Sequence, residues 1–143
     1  MIDECKSCAE VAIQLDISES LGRYCLYYDG GEFDQLRRIF HPEAVIDFGD
    51  RFCGNRDEFV SWARSQREGG NRYSHQVSNI VIDSTGTPIG KASICSVSAL
   101  VEASQPNNTV RLVRGYYRDK WLRSEGRWVI KARNFAINIT AEF

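Results

Sequence analysis

Two histidines are the side chains of this chain best suited to exchange a proton near neutral pH. His75 lies in the run 73–83, whose alternating pattern predicts a strand, and a strand histidine beside an enclosed space could act as a general base. His41 precedes Pro42 at a junction between predicted elements, where we expect a solvated side chain. The residues alone leave His75 open between a base and a structural hydrogen-bonding residue.

The five cysteines predict neither a metal site nor a disulfide framework. They are odd in number and scattered, which favours reduced thiols in a cytoplasmic protein. Cys5 and Cys8 form a C-x-x-C motif, but no second pair and no nearby histidine complete a zinc site. Two thiols at the start of a helix explain the motif better. We expect no metal and no cofactor.

Composition places the chain among ordinary globular domains. Its 143 residues suit one domain spanning 1–143. The formal net charge of −1, with both signs interspersed, argues against a nucleic-acid or membrane-surface partner, which would need a concentrated basic patch. The apolar stretches are too short to span a bilayer, and the acidic N-terminus lacks the features of a signal peptide. We therefore expect a cytoplasmic protein.

Helical patterns fill the first half of the chain. Apolar residues recur every three or four positions over 9–28, and Gly30 and Gly31 should end this helix. A short second helix is predicted over 33–40 and a strand over 44–48. Asn55 and Glu58 have the spacing of a capping box for a third helix, which Gly69 and Gly70 would close.

Strand patterns fill the second half, over 73–83, 91–103, 109–123 and 127–140. Turn residues separate them at 85–88, 105–108 and 124–126. Helices followed by a meander of strands predict an α+β domain with its helices on one face of the sheet. One face of the strand 91–103 carries small side chains, namely Cys95, Val97, Ala99 and Val101. They could leave room for a ligand or fit a close helix contact.

Several motifs resemble the nuclear transport factor 2-like superfamily. The segments 115–121 (GYYRDKW) and 126–130 (GRWVI) are similar to its closing hairpin. The segment 40–45 (FHPEAV) resembles its helix-to-strand junction, and 54–57 (GNRD) its entry to the third helix. The resemblance covers nearly the whole chain and implies a cone-shaped fold, in which N-terminal helices pack on a strongly curved antiparallel sheet around an apolar pocket. The fold alone implies no single function, because it hosts many.

Within that superfamily the chain looks most like the SnoaL-like branch, which contains scytalone dehydratase, bile acid 7α-dehydratase and hexachlorocyclohexane dehydrochlorinase. The resemblance implies catalytic roles for Asp29, at the end of the first helix, and His75, on the first long strand. Tyr24 matches a tyrosine of the dehydratases, whereas the dehydrochlorinase has a lysine there that this chain lacks. Arg133 on the last strand is similar to an arginine of the branch. Tyr28 and Asn79 are weaker candidates for substrate binding.

The implied chemistry is proton abstraction by a His75–Asp29 pair. The carboxylate would fix the tautomer of the ring and balance the imidazolium, Tyr24 would assist the leaving group, and Arg133 would stabilise developing negative charge. Each residue also has a structural alternative: Asp29 could cap the helix-ending turn and Tyr24 could be core. Tyr24 and Asp29 diverge by about 140° on an ideal helix, so they converge only if the helix frays.

Strand alternation raises a separate difficulty for Arg133. It faces away from Trp128 and Ile130 unless a bulge intervenes. A pocket role for Arg133 therefore depends on an irregularity that the sequence does not show.

Three functions remain open. The first is a cofactor-free lyase, a dehydratase or dehydrohalogenase acting on a small, apolar cyclic substrate. The second is an isomerase or cyclase of polyketide-like or steroid-like compounds that uses the same pair. The third is a non-catalytic binding or assembly subunit, like the small subunit of ring-hydroxylating dioxygenases. The resemblance also implies a homo-oligomer, either a trimer or a dimer.

Overall fold

The computed structural model describes residues 2–83, 89–103 and 109–143, with side chains from residue 8 onward. The described residues form three helices and six strands. In order they are α1 (Ile2–Gly30), α2 (Phe33–Arg37), β1 (Phe40–Asp47), β2 (Cys53–Asn55), α3 (Arg56–Glu68), β3 (Asn71–Asp83), β4 (Gly90–Ala103), β5 (Thr109–Ser124) and β6 (Arg127–Glu142). The turns predicted at 85–88 and 105–108 lie outside the described residues.

The six strands form one sheet in the order β2-β1-β6-β5-β4-β3. Strands β3 to β6 are a continuous antiparallel meander, while β1 joins β6 in parallel and β2 joins β1 antiparallel. The sheet is therefore mixed rather than purely antiparallel. The predicted α+β class, with N-terminal helices packed on the sheet, is confirmed.

The apolar stripe of α1 forms the centre of the core. Ile17, Leu21 and Tyr24 are fully buried, and Tyr28 is nearly so. The helix begins well before the predicted residue 9 and continues to Gly30. Gly31 follows with a φ of 70°, a left-handed conformation that glycine adopts without strain. This turn ends the helix directly after Asp29.

The region between α2 and β1 differs from the prediction. Helix α2 ends at Arg37, and β1 begins at Phe40, so that His41 and Pro42 lie inside the strand. The parallel register between β1 and β6 is irregular between Phe40 and Val45. Such an irregularity accommodates a proline, which has no N–H to donate to the ladder.

Helix α3 begins with the predicted capping box. The main-chain N–H of Glu58 donates to Asn55 Oδ1 at 2.9 Å, and the N–H of Asn55 donates to Glu58 Oε1 at 3.0 Å. Phe59 is fully buried on the inner face of this helix. The capping prediction is thus confirmed.

Three bulges interrupt the described parts of the long strands; one is at Asn138 of β6, and the other two lie beside candidate site residues. In β6, Ile130 is opposite Trp121 and Ala132 is opposite Lys120, so Lys131 is an extra residue. In β3 the register shifts between Ser78 and Val81, and the intervening Asn79 has a φ of 52°. An extra residue reverses the inward–outward alternation beyond it, so each bulge redirects the residues that follow.

Candidate functional site

Asp29 is positioned by the end of α1. Arg67 of α3 donates from Nη1 to the main-chain carbonyl of Asp29 at 2.8 Å. A Cβ on Gly31 would collide with the guanidinium of Arg67, so the glycine permits this contact as well as the turn. The contact between α3 and the last turn of α1 therefore holds the carboxylate against the edge of the sheet.

His75 binds this carboxylate twice. Its ring Nδ1 lies 2.6 Å from Asp29 Oδ1, and its main-chain N–H donates to Asp29 Oδ2 at 2.8 Å. Strand β3 is an edge of the sheet, so no neighbouring strand is present to accept this N–H. A carboxylate can only accept, so Nδ1 carries the proton and Nε2 is left as a free acceptor.

Aromatic rings enclose the imidazole. The ring centroid of Tyr28 lies 4.7 Å from that of His75, Tyr73 stacks at 5.8 Å, and Tyr24 lies edge-on at 6.1 Å. The His75 side chain is 8% exposed. The imidazole is therefore held in a fixed orientation between the helix and the sheet.

A small cavity of about 50 Å³ lies beside these rings. It is lined by Tyr24, Tyr28, Phe48, Arg51, Trp62, Tyr73, His75, Val97, Ala99, Val101, Val113, Tyr117 and Phe135. Ligand sites commonly enclose roughly 300–1,000 Å³, so a substrate enters this one only if side chains at its mouth move. The lining is mainly aromatic and aliphatic, and the small residues of β4 form its floor.

A larger concavity of about 600 Å³ lies over the outer face of the sheet, between Val45 and Val81. Its lining contains neither histidine nor cysteine, and Asp29 is not part of it. His75 lines the inner cavity instead, and Asp29 binds it there without lining either space. His75 also lines an open concavity of about 650 Å³ between α1 and the edge strand β3. Of these two spaces, only the inner cavity combines His75 with Tyr24 and Tyr28, so we assign chemistry that uses His75 to the inner cavity.

Tyr24 reaches the cavity although α1 does not fray. Asp29 turns to the edge of β3 while Tyr24 points into the core, and His75 contacts both. Tyr117 Oη donates to Tyr24 Oη at 3.3 Å, which leaves the Tyr24 proton available for another acceptor. Burial raises the pKa of Tyr24 well above its usual value, so this phenol stays protonated.

Arg133 is fully buried but does not line the cavity. The bulge at Lys131 turns it inward, where Nε and Nη2 donate to the Asp119 carboxylate at 2.7 and 2.9 Å. The guanidinium lies 3.8 Å from the ring centroid of Tyr117 and 4.4 Å from that of Tyr24. Burial lowers the pKa of Arg133, but the charge and hydrogen bonds of Asp119 outweigh it and hold the pKa above its usual value.

One nitrogen of this guanidinium has no protein partner. Nη1 of Arg133 is buried and unpaired among the described residues. A buried donor of this kind is commonly satisfied by water or by a bound ligand.

Asn79 is not brought to the site, which corrects its expected position on the face of His75. The bulge in β3 turns it away, its side chain is exposed, and its Nδ2 donates to Ser96 Oγ at 3.2 Å. Tyr28, in contrast, lines the cavity as the sequence predicted.

Seven lining residues were not predicted as part of a pocket: Phe48, Arg51, Trp62, Tyr73, Val113, Tyr117 and Phe135. Tyr73 could have been found, because residues two apart on a strand share a face and it precedes His75 by two. Tyr117 lies within the 115–121 motif, but nothing in that motif shows that its side chain points into the cavity. Arg51 belongs to the connection between β1 and β2, which carries no periodic signal.

Neither a metal cluster nor a membrane-spanning helix is found in the part of the chain that the structure describes. No three histidine, cysteine, aspartate or glutamate side chains there are grouped to hold a metal ion. No described helix is long and apolar enough to cross a membrane. Cys8 is a free, exposed thiol, whereas the side chain of Cys5 lies outside the description.

The SnoaL-like domain profile matches residues 9–134. The chain belongs to the SnoaL-like domain family. This match runs from within α1 to the middle of β6 and includes all the cavity-lining residues except Phe135. Membership confirms the sequence-based resemblance.

Known proteins extend this comparison. An uncharacterized protein of Mycobacterium tuberculosis (strain ATCC 25618 / H37Rv) is 28% identical over 131 residues, covering 89% of this chain and 86% of its own. A scytalone dehydratase-like protein from Novosphingobium aromaticivorans superposes with a TM-score of 0.87 at 18% identity, over 96% of this chain and 91% of its own. A type 2 hexachlorocyclohexane dehydrochlorinase superposes with a TM-score of 0.86 at 14% identity, over 96% of this chain and 93% of its own. At these identities the two structures show a shared fold.

Proposed function

We propose that this SnoaL-like protein is a cofactor-independent lyase that eliminates water or halide from a small cyclic substrate, with His75 as the general base. The observation that carries the proposal is the double hydrogen bond of His75 to Asp29, which leaves Nε2 as a free acceptor beside the cavity. The similar folds of a scytalone dehydratase-like protein and a dehydrochlorinase support this choice of reaction.

The proposed reaction needs only side chains of this chain. His75 Nε2 takes a proton from a carbon next to an activating group, and the C–H electrons form the new double bond. The leaving group departs with the electrons of its own bond, as halide or as hydroxide that is protonated to water. The resulting imidazolium stays bound to the Asp29 carboxylate, which balances its charge.

Tyr24 suits the leaving group as a hydrogen-bond donor rather than as an acid. Its raised pKa makes ionisation costly, so the proton that converts hydroxide to water returns from His75. Tyr117 and Arg133 hold the Tyr24 ring from two sides. In this scheme Arg133 is a positioning residue, because it contacts the Tyr24 and Tyr117 rings and does not itself line the cavity.

The test is product formation on a panel of cyclic hydroxy-ketones and cyclic halides. The His75→Ala variant should lose at least about 10²-fold in rate, the lower end of what a positioned base contributes. His41→Ala is the matched control, because the His41 side chain accepts the main-chain N–H of Glu43 and is not among the residues that line the cavity. Turnover that survives His75→Ala unchanged contradicts the proposed mechanism.

The reaction products distinguish a lyase from an isomerase or cyclase. Release of water or halide identifies a lyase. An isomeric or cyclised product with nothing released identifies an isomerase or cyclase using the same base.

A non-catalytic binding or assembly subunit is the second candidate, and the small cavity favours it. A volume of about 50 Å³ holds little more than a few water molecules in the closed state. No turnover on any panel member, together with stable association with a larger protein, would support this candidate. Light scattering on the purified chain tests the accompanying expectation of a homo-oligomer, either a dimer or a trimer.

A further inference from the structure

Arg51 is a charged residue of the cavity wall that the proposed reaction does not use. It lies between β1 and β2, at the exposed mouth of the cavity. Its side chain takes part in none of the ion pairs or side-chain hydrogen bonds found among the described residues. A cation at a cavity mouth without a protein counter-charge is available to a ligand.

Arg111 adds a second positive charge at the same end of the cavity. It is paired in register with Val101, and Val101 is paired with Tyr73, so these three residues form one row across the inner face of the sheet. Glu142 is opposite Arg111 in β6, but the two side chains form no ion pair. We call Arg51 and Arg111 the cationic rim.

The rim charges interact with one another and with the cavity wall. Burial and the charge of Arg111 both lower the pKa of Arg51. Burial raises the pKa of Tyr73, and the hydrogen bond from Asn71 and the charges of the two rim arginines offset only part of that rise. An anion between the two guanidiniums would relieve this repulsion. The Asp29 carboxylate does not serve that purpose, since it is bound to His75.

We propose that the cationic rim binds an acidic group of the substrate, so that the site takes small ring compounds carrying a carboxylate. The inference rests on the proposed function, because it assigns the substrate class of the same site. Tyr73 and His75 are two residues apart on one face of β3, about 7 Å along the strand. Arg51, Tyr73 and His75 line the same cavity, so a ring compound whose carboxylate lies at the rim would extend past Tyr73 toward His75.

The test compares two probes of equal shape by isothermal titration calorimetry, 4-hydroxybenzoate and 4-hydroxybenzamide. The wild-type protein should bind the carboxylate about tenfold more tightly, because the guanidinium meets a full negative charge on the carboxylate and only a carbonyl dipole on the amide. Arg51→Gln should remove this preference while leaving the affinity for the amide unchanged. Arg51→Lys should retain part of it.

Arg72→Gln is the matched control. It removes the same charge from the residue next to Tyr73, but Arg72 is exposed on the opposite face of β3. This variant should keep the carboxylate preference. Equal affinity for both probes in the wild type, no saturable binding of 4-hydroxybenzoate, or an unchanged preference in Arg51→Gln would each overturn the proposal.

The same titration in His75→Ala separates this proposal from the proposed function. Equilibrium binding requires no turnover, so the carboxylate preference should persist in that variant. A preserved preference with no catalysis on any substrate refutes the lyase alone. Turnover of neutral substrates with no carboxylate preference refutes the cationic rim alone.

Discussion

The Asp29 carboxylate accepts both the ring N–H and the main-chain N–H of His75. One oxygen satisfies a donor of an edge strand, and the other fixes the rotation and the protonation of the imidazole. The main-chain hydrogen bond fixes the carboxylate relative to the strand, so the ring cannot turn without breaking its Nδ1 contact. The same carboxylate thus stabilises the edge strand and orients the proposed base.

This double contact predicts opposite tautomers for the two histidines. His75 donates from Nδ1 to Asp29, whereas His41 Nδ1 accepts the main-chain N–H of Glu43 at 3.0 Å. Nitrogen-15 correlation spectra, recorded at a pH at which both imidazoles are uncharged, should show the Nδ1–H form for His75 and the Nε2–H form for His41. Asp29→Asn should mix the His75 tautomers and leave His41 unchanged. An Nε2–H tautomer at His75 in the wild type contradicts the assignment of Nε2 as the free base.

The Tyr24→Phe variant tests the leaving-group role. Removing one positioned donor typically costs about 10²-fold in rate, so the loss should be milder than that of His75→Ala. Tyr116→Phe is the control, because Tyr116 is exposed on the other face of β5. Rates on hydroxy substrates should fall more than rates on halides, since halide departs without a proton. An equal loss for both leaving groups would assign Tyr24 to packing.

The elements of the fold follow from local signals in the sequence, whereas the bulges do not. Periodicity predicted α1 and the four long strands, and the capping box at Asn55 predicted the start of α3. Pairing between β1 and β6 joins residues far apart in the chain, so no local pattern reveals it. The bulges at Asn79 and Lys131 depend on how each strand fits its neighbour.

The bulges also explain the mixed outcome for the candidate site residues. The structure brings together four of the candidates: Asp29, His75, Tyr24 and Tyr28. Three of them lie on α1, and His75 precedes the bulge in its own strand. Asn79 sits on a bulge and is turned away, while Arg133 follows one and is turned inward. Simple alternation therefore predicts the facing of β3 side chains as far as Ser78 and fails at the bulge that follows.

The buried pair of Arg133 and Asp119 predicts a large and asymmetric effect on stability. Arg133→Met should lower the free energy of unfolding by about 3–5 kcal/mol, because it leaves the Asp119 charge buried without a partner. The double variant with Asp119→Leu should recover much of the loss. Urea denaturation measures the free energy of unfolding of the single and the double variant.

The control for this pair is Arg23→Met, which breaks the exposed ion pair with Glu19 on α1 and should change stability little. If Arg133→Met were no more destabilising than this control, the buried pair would not hold β5 and β6 as the structure implies.

The two buried thiols predict that the protein loses stability in alkali before its tyrosines ionise. Burial raises the pKa of Cys25 from 9.0 to about 12 and that of Cys95 from 9.0 to about 11. Below pH about 9 both thiols keep their protons in the folded and the unfolded chain, so their contribution to stability is fully present. Above it the unfolded chain releases these protons while the folded protein retains them, and the free energy of unfolding falls as the pH rises.

Urea midpoints measured in a reductant from neutral pH upward should therefore decline from pH about 9. The double variant Cys25→Ala/Cys95→Ala should start from a lower stability, because it leaves small cavities, but its decline should be shallower than that of the wild type. Cys8→Ala is the control, since that thiol is exposed and should leave the pH dependence unchanged. A double variant with the same alkaline slope as the wild type would show that the thiols are not held protonated by the fold.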